Sequence, residues 1–153
     1  MRMPLFLINL FFVLILLSFS ACNELYEFSI TQSGNDILFT VKDIDTKKNQ
    51  LMLYDIAVAK NKCKDSSCTV WYLVRHMDKT DVMPENIVGV TIKYGQEFTN
   101  MEVRQLAKAL TNGEYRIGAT FGIVHNNKLV DSKLVSGSFK ILTDRTGNIK
   151  LVR

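Results

Sequence analysis

Three cysteines, two histidines and a few closely spaced carboxylates are the residues of this chain that could do chemistry. His76 and Asp78, in the stretch RHMD, have the makings of a general base and the carboxylate that orients it. Such a pair works only with a nucleophile in reach. Ser66, Ser67, Ser136 and Ser138 are the available hydroxyls, and none stands in a recognisable elbow motif. His76 therefore reads as a surface-loop residue, no catalytic residue is expected, and the chain reads as a non-enzyme. His125, in VHNNK, reads as a hairpin residue. Asp43 and Asp45 in KDIDTKKN have too few neighbouring oxygen ligands for a calcium loop. Lys42, Lys47 and Lys48 would also repel the ion, so neither a metal nor a cofactor is expected.

The role of the cysteines turns on Cys22. Arg2 gives the chain a positive start, residues 4–19 are almost entirely Leu, Phe, Ile and Val, and Ser20 and Ala21 are small. That is the anatomy of a secretory signal peptide over residues 1–21. A transmembrane helix is the competing reading. It needs about 20 apolar residues, and this run is slightly short and lacks a basic cluster after it. Phe19-Ser20-Ala21-Cys22 resembles the lipobox of bacterial lipoproteins, where an apolar residue and two small ones precede the cysteine. In that family the cysteine takes a diacylglycerol on its sulfur and becomes the mature N-terminus. Phe19 stands where Leu is usual. The resemblance implies a lipid anchor at Cys22 in the bacterial cell envelope, and Asn23 after it implies sorting to the outer membrane. Ordinary cleavage after Ser20, leaving Cys22 a free thiol, is the alternative.

With lipid on Cys22, Cys63 and Cys68 are left to pair across CKDSSC. A loop this short gains about 2 kcal/mol from closure, less any strain. Redox motifs place two residues between their cysteines, and no second Cys pair or His-rich stretch completes a zinc site. A structural disulfide stapling a hairpin tip is the expectation, as suits an exported domain.

From Cys22 to Arg153 the chain is long enough for one domain with a real core. Without Arg2 it carries 18 basic against 15 acidic residues, scattered rather than clustered. There is no basic stripe of the kind nucleic-acid binders carry. Short strands with turns between them follow one another: residues 25–31, 37–41, 51–59, 69–75, 87–95, 114–124 and 134–142. Their aromatic and β-branched residues suit a pleated surface. Gly118 and Gly122 suggest a bulge or a close approach, and Asn126 with Asn127 suits a tight hairpin turn. Residues 143–153 read as a tail or weak final strand. Residues 99–110 are open to two readings. Val103, Leu106, Ala107 and Leu110 share a helical face and Thr99 with Glu102 matches a capping box, yet an extended crossing between sheets fits equally. About seven strands at this spacing predict an all-β sandwich over residues 22–153.

LTNGEY, with Leu110, Gly113 and Tyr115, resembles the entry to the sixth strand of fibronectin type III and related immunoglobulin-like domains. There a tyrosine hydroxyl bonds back to the backbone as a tyrosine corner. The resemblance implies that role for Tyr115, with Leu110 packed beneath it and Trp71 filling the core. Ile92, Tyr94-Gly95 and Met101 before that motif look like a group of small bacterial lipoproteins without an assigned activity, so no catalytic residue carries over. The expected function is a lipid-anchored, non-catalytic binding or structural module, held to the membrane through Cys22 and meeting an envelope protein partner. An inhibitor of an envelope-targeting hydrolase is the alternative, and a hydrolase using His76 is third. Tyr72 and Tyr94 are candidates for an exposed aromatic patch.

Overall fold

The computed structural model describes residues 26–42, 44, 48–62, 68–75, 87–88, 91–99 and 101–152. Among these the chain is all β, without an α-helix. The strands are β1 (Tyr26–Ser33), β2 (Asp36–Val41), β3 (Gln50–Lys60), β4 (Thr69–Arg75), β5 (Ile87–Val88), β6 (Thr91–Lys93), β7 (Met101–Gln105), β8 (Gly113–His125), β9 (Lys128–Thr143) and β10 (Ile149–Val152).

Alternation of side chains makes these strands two-faced. Ile37, Phe39 and Val41 of β2 point inward, as do Trp71 and Leu73 of β4 and Tyr115, Ile117, Ala119 and Phe121 of β8. Each large apolar side chain removed from water contributes about 1.5–3 kcal/mol.

The pairings run β6–β2–β1–β9–β8–β3–β4–β7, with β10 added to β9 and β5 to β3. β1 is the turning point. Tyr26 and Glu27 pair in parallel with Val135 and Ser136 of β9, and from Phe28 onward β1 pairs antiparallel with β2. The sheet thereby curls over itself, and β6, β2 and β1 face the remaining strands across one apolar interior. Phe39 meets Phe139 with ring centroids 5.6 Å apart, and Phe28 meets Phe121 at 6.2 Å. The result is a sandwich-like fold with a single core.

Among the described residues the strands are ten rather than about seven, for identifiable reasons. Of residues 87–95, read as one strand, the described parts pair with different neighbours: residues 87–88, β5, with Leu51 and Met52 of β3, and residues 91–93, β6, with β2. Of residues 99–110, residues 101–110 are extended, not helical. β7 pairs with β4, and beyond it the Lys108 amide donates to the Val70 carbonyl at 2.9 Å. The apolar face of a helix here would have needed something to cover it. Instead Val103 and Leu106 stay 44% and 68% exposed while the edge of β4 supplies backbone partners, and the tertiary context overrides the local pattern.

β8 and β9 form a long hairpin closed by Asn126 and Asn127, whose φ values of 47° and 58° are those of a type I′ turn. Gly122 permits a close approach. A Cβ there would fall 2.7 Å from Leu129 Cδ1 and 2.8 Å from Met52 Cε, whereas Gly118 faces open space. β10 is held on its far edge by a side chain. The Gln32 amide donates to the Ile149 carbonyl and its oxygen accepts from the Leu151 amide, both at 2.7 Å, as a neighbouring strand would.

Candidate functional site

The segment entering β8 is built around two tyrosines. The Tyr115 hydroxyl donates to the Thr111 carbonyl at 2.9 Å and accepts from the Thr111 amide at 3.0 Å. Its ring stacks on Phe139, centroids 5.3 Å apart, and Leu110 is buried beside it. Tyr94 holds the same segment from the opposite side. Its hydroxyl reaches the Lys108 carbonyl at 2.8 Å and the Val70 carbonyl at 3.2 Å, and its ring meets Trp71 edge-on at 5.4 Å. Trp71 is 1% exposed and fills the core below. Burial, and then the neighbouring Tyr115, push the Tyr94 phenol well above the ordinary tyrosine range, against the lowering effect of its hydrogen bond to Lys108. Gly95, at φ 76°, brings its backbone to within 3.1 Å, measured from an added Cβ, of Ala107. Gly113 lies under the Lys60 side chain, which a Cβ would strike at 2.6 Å. This corner is structural: it carries hydrogen bonds and packing, and no group in it is poised to react.

Cys22, Cys63, His76, Asp78, Asp43, Asp45, Ser66 and Ser67 lie outside the described residues. Cys68 is buried and is not a free thiol. His125 Nδ1 donates to the Lys48 carbonyl at 2.9 Å and ties the hairpin tip to the loop before β3. Tyr72 stands half-buried opposite Ala57 on the outer face, while Tyr94 packs inward, so the two do not form a patch. Among the described residues, no group of three or more His, Cys, Asp and Glu could hold a metal ion, and no helix is long and apolar enough to cross a membrane.

A surface with the shape of a binding site lies along β9. On the side away from β8, β9 pairs with β1 as far as Ser136 and with β10 from Lys140, which leaves a notch between them. Two shallow depressions meet there at Ser138. One, of about 470 Å³, is lined by Glu27, Arg116 and Ser136, and the other, of about 260 Å³, by Asn61, Glu114, Lys140 and Val152. The register across the hairpin sets Arg116 opposite Ser138, Glu114 opposite Lys140 and Gly118 opposite Ser136. Ser136, Gly137 and Ser138 line it together with the apolar Phe28, Ile117 and Phe139, and both acidic and basic side chains border it. Ser136 and Ser138 lie in this trough, while His125 is held at the hairpin tip, so hydroxyl and imidazole are not brought together. Sequence reading noticed these serines only as potential nucleophiles. The signal it passed over was Ser-Gly-Ser alternating within a strand that also carries Lys140.

Comparison of the chain with protein-family models, with curated proteins and with solved structures found no match.

Proposed function

We propose that this protein is a lipid-anchored component of the bacterial cell envelope, held at the outer membrane through Cys22, whose immunoglobulin-like sandwich is a non-catalytic module for binding another envelope protein. The observation that carries the reading is the trough along β9. It is open, lined by Ser136, Gly137 and Ser138, and bordered by the basic Arg116 and Lys140 and the acidic Glu27 and Glu114. A surface bearing both signs of charge steers and orients a polar partner more than it adds raw affinity.

Three further features support parts of this reading. The strand order, with β1, β2 and β6 facing β3, β4, β8 and β9, and the Tyr115 hydrogen bonds to Thr111 are of the kind found in immunoglobulin-like domains. The residue pattern up to Cys22 is that of a lipoprotein signal. Buried Cys68, which is not free, suits a structural disulfide with Cys63.

Ser138→Arg would fill the trough. Affinity capture from detergent-solubilised envelopes with the unaltered protein is expected to recover a reproducible protein partner that the Ser138→Arg variant loses. Recovery of the same set of proteins by both, or of none by the unaltered protein, overturns the trough as the binding surface.

A further inference from the structure

We propose that the end of the domain carrying the β8–β9 hairpin tip lies against the bilayer, with Leu129, Val130 and Leu134 in the lipid interface and Lys42, Lys48 and Lys128 against anionic headgroups. This inference rests on the reading of Cys22 as the acylated residue. Reach is what carries it. Tyr26 sits beside Val135 and Glu27 beside Ser136 in parallel register, so β1 begins at the level of Val135 and runs away from Lys128 and the hairpin tip. An extended chain spans at most about 3.3–3.6 Å per residue, so an acylated Cys22 stands within about 14 Å of Tyr26. The hairpin runs on from Val135 to its turn at Asn127, and at about 3.3 Å of rise per residue this is about 26 Å. The hairpin therefore outreaches its tether. An anchored domain cannot stand clear of the surface with this end pointing toward it, and with the long strands lying along the bilayer the free part of the β9 edge is within reach of the surface.

The side chains on that edge fit the interface. Leu129, Val130 and Leu134 are 54%, 58% and 57% exposed. Leu134 faces the same side as Thr120, and Leu129 the same side as Val124. Two exposed lysines, Lys48 and Lys128, flank the hairpin tip, and a third, Lys42, lies beside the start of β1. Lys128 pairs with His125, Lys48 accepts from the His125 ring through its carbonyl, and the Lys42 amide donates to Glu27 at 3.1 Å. Lysines next to an anionic membrane surface are attracted to it. Asp131, the acid on this edge, is already paired with Lys133 at 2.9 Å. The tyrosine corner, Cys68 and the β9–β10 turn lie at the other end of the long strands, away from the membrane.

The test uses the natively acylated protein in vesicles of phosphatidylethanolamine and phosphatidylglycerol with brominated acyl chains. Trp71 is buried and gives a constant background. Val130→Trp adds a reporter on the edge, and Arg145→Trp adds one in the exposed turn at the far end. If the edge sits some 5–10 Å into the headgroup–acyl boundary, bromolipid should quench about half of the Val130→Trp emission and leave Arg145→Trp unchanged. In the unaltered protein, amides of residues 129–134 should exchange more slowly on vesicles than in detergent. Equal quenching at the two positions, or exchange unchanged by vesicles, overturns the inference. A second copy seated on this edge would be seen as slowed exchange that follows protein concentration in detergent, and would overturn it too. The mass of the mature N-terminus, read on the same preparation, separates the two levels. An acylated Cys22 with an unquenched Val130→Trp removes this inference alone, and an unmodified Cys22 removes the anchor and the inference together.

Discussion

At the corner where β7 gives way to β8, two phenol oxygens hold a stretch of backbone that has no strand beside it for most of its length. Tyr115 closes a loop of only a few residues onto Thr111, while Tyr94 reaches across to Lys108 and Val70 from the other layer. Tyr115→Phe keeps the ring on Phe139 and removes only the oxygen, leaving the part-buried Thr111 amide and carbonyl without it. The expected cost is about 1–3 kcal/mol, read as a lower denaturant midpoint at unchanged slope. Tyr94 makes a different prediction. Its phenol loses a proton less readily in the folded protein than in the unfolded chain, so the stabilisation is fully present below the ordinary tyrosine value of about 10 and is lost as pH rises beyond it. Between neutral and strongly alkaline pH, the unaltered protein should lose stability more steeply than Tyr94→Phe. Parallel pH profiles for the two would contradict the burial assigned to this hydroxyl.

Strands in this protein are held at their ends by single devices. β10 has β9 on one side and the Gln32 amide on the other. Gln32→Leu is expected to leave the fold intact and to speed amide exchange at Leu151 by up to about tenfold, since one such hydrogen bond contributes about 0.5–1.5 kcal/mol. The β8–β9 hairpin depends on two consecutive residues at positive φ. A β-branched side chain tolerates that conformation poorly, so Asn127→Val should lower stability by about 1–2 kcal/mol, whereas Asn127→Gly should not lower it. Much of this level was legible in advance. β2, β4 and β8 alternate cleanly because one face meets the core and the other water, and Asn-Asn between two such runs is a turn signal. The split of residues 87–95 into β5 and β6 was not legible, because the two pieces are drawn to different neighbours by contacts remote in sequence. Nor was the extended path of residues 101–110, where an available strand edge defeated a good helical pattern.

For the molecule as a whole, the proposed anchor and trough put attachment and binding on one sandwich-like domain, with Glu27 of the trough directly after Tyr26, where the described chain begins. Cys22→Ser should release the protein from envelope membranes into the soluble fraction while leaving its denaturation midpoint unchanged. If the protein stays with the membranes, something other than an acyl chain at that sulfur holds it. Cys68→Ser tests the proposed staple separately, with an expected loss of about 2 kcal/mol and no change in membrane retention.

By itself the sequence determined what depends on near neighbours: alternating strands, the Asn126–Asn127 turn, and the spacing that lets Tyr115 reach Thr111. Periodicity and short-range hydrogen bonding act over a few residues, and such distances can be read along the chain. The tertiary structure alone decided that β1 changes partners after Glu27, that Gln32 serves as a neighbour for a strand near the opposite end of the chain, and that β1, β8, β9 and β10 together enclose a trough. Those features arise where a twisted sheet folds back on itself, and the pairing energy of any one strand does not depend on how far along the chain its partner lies.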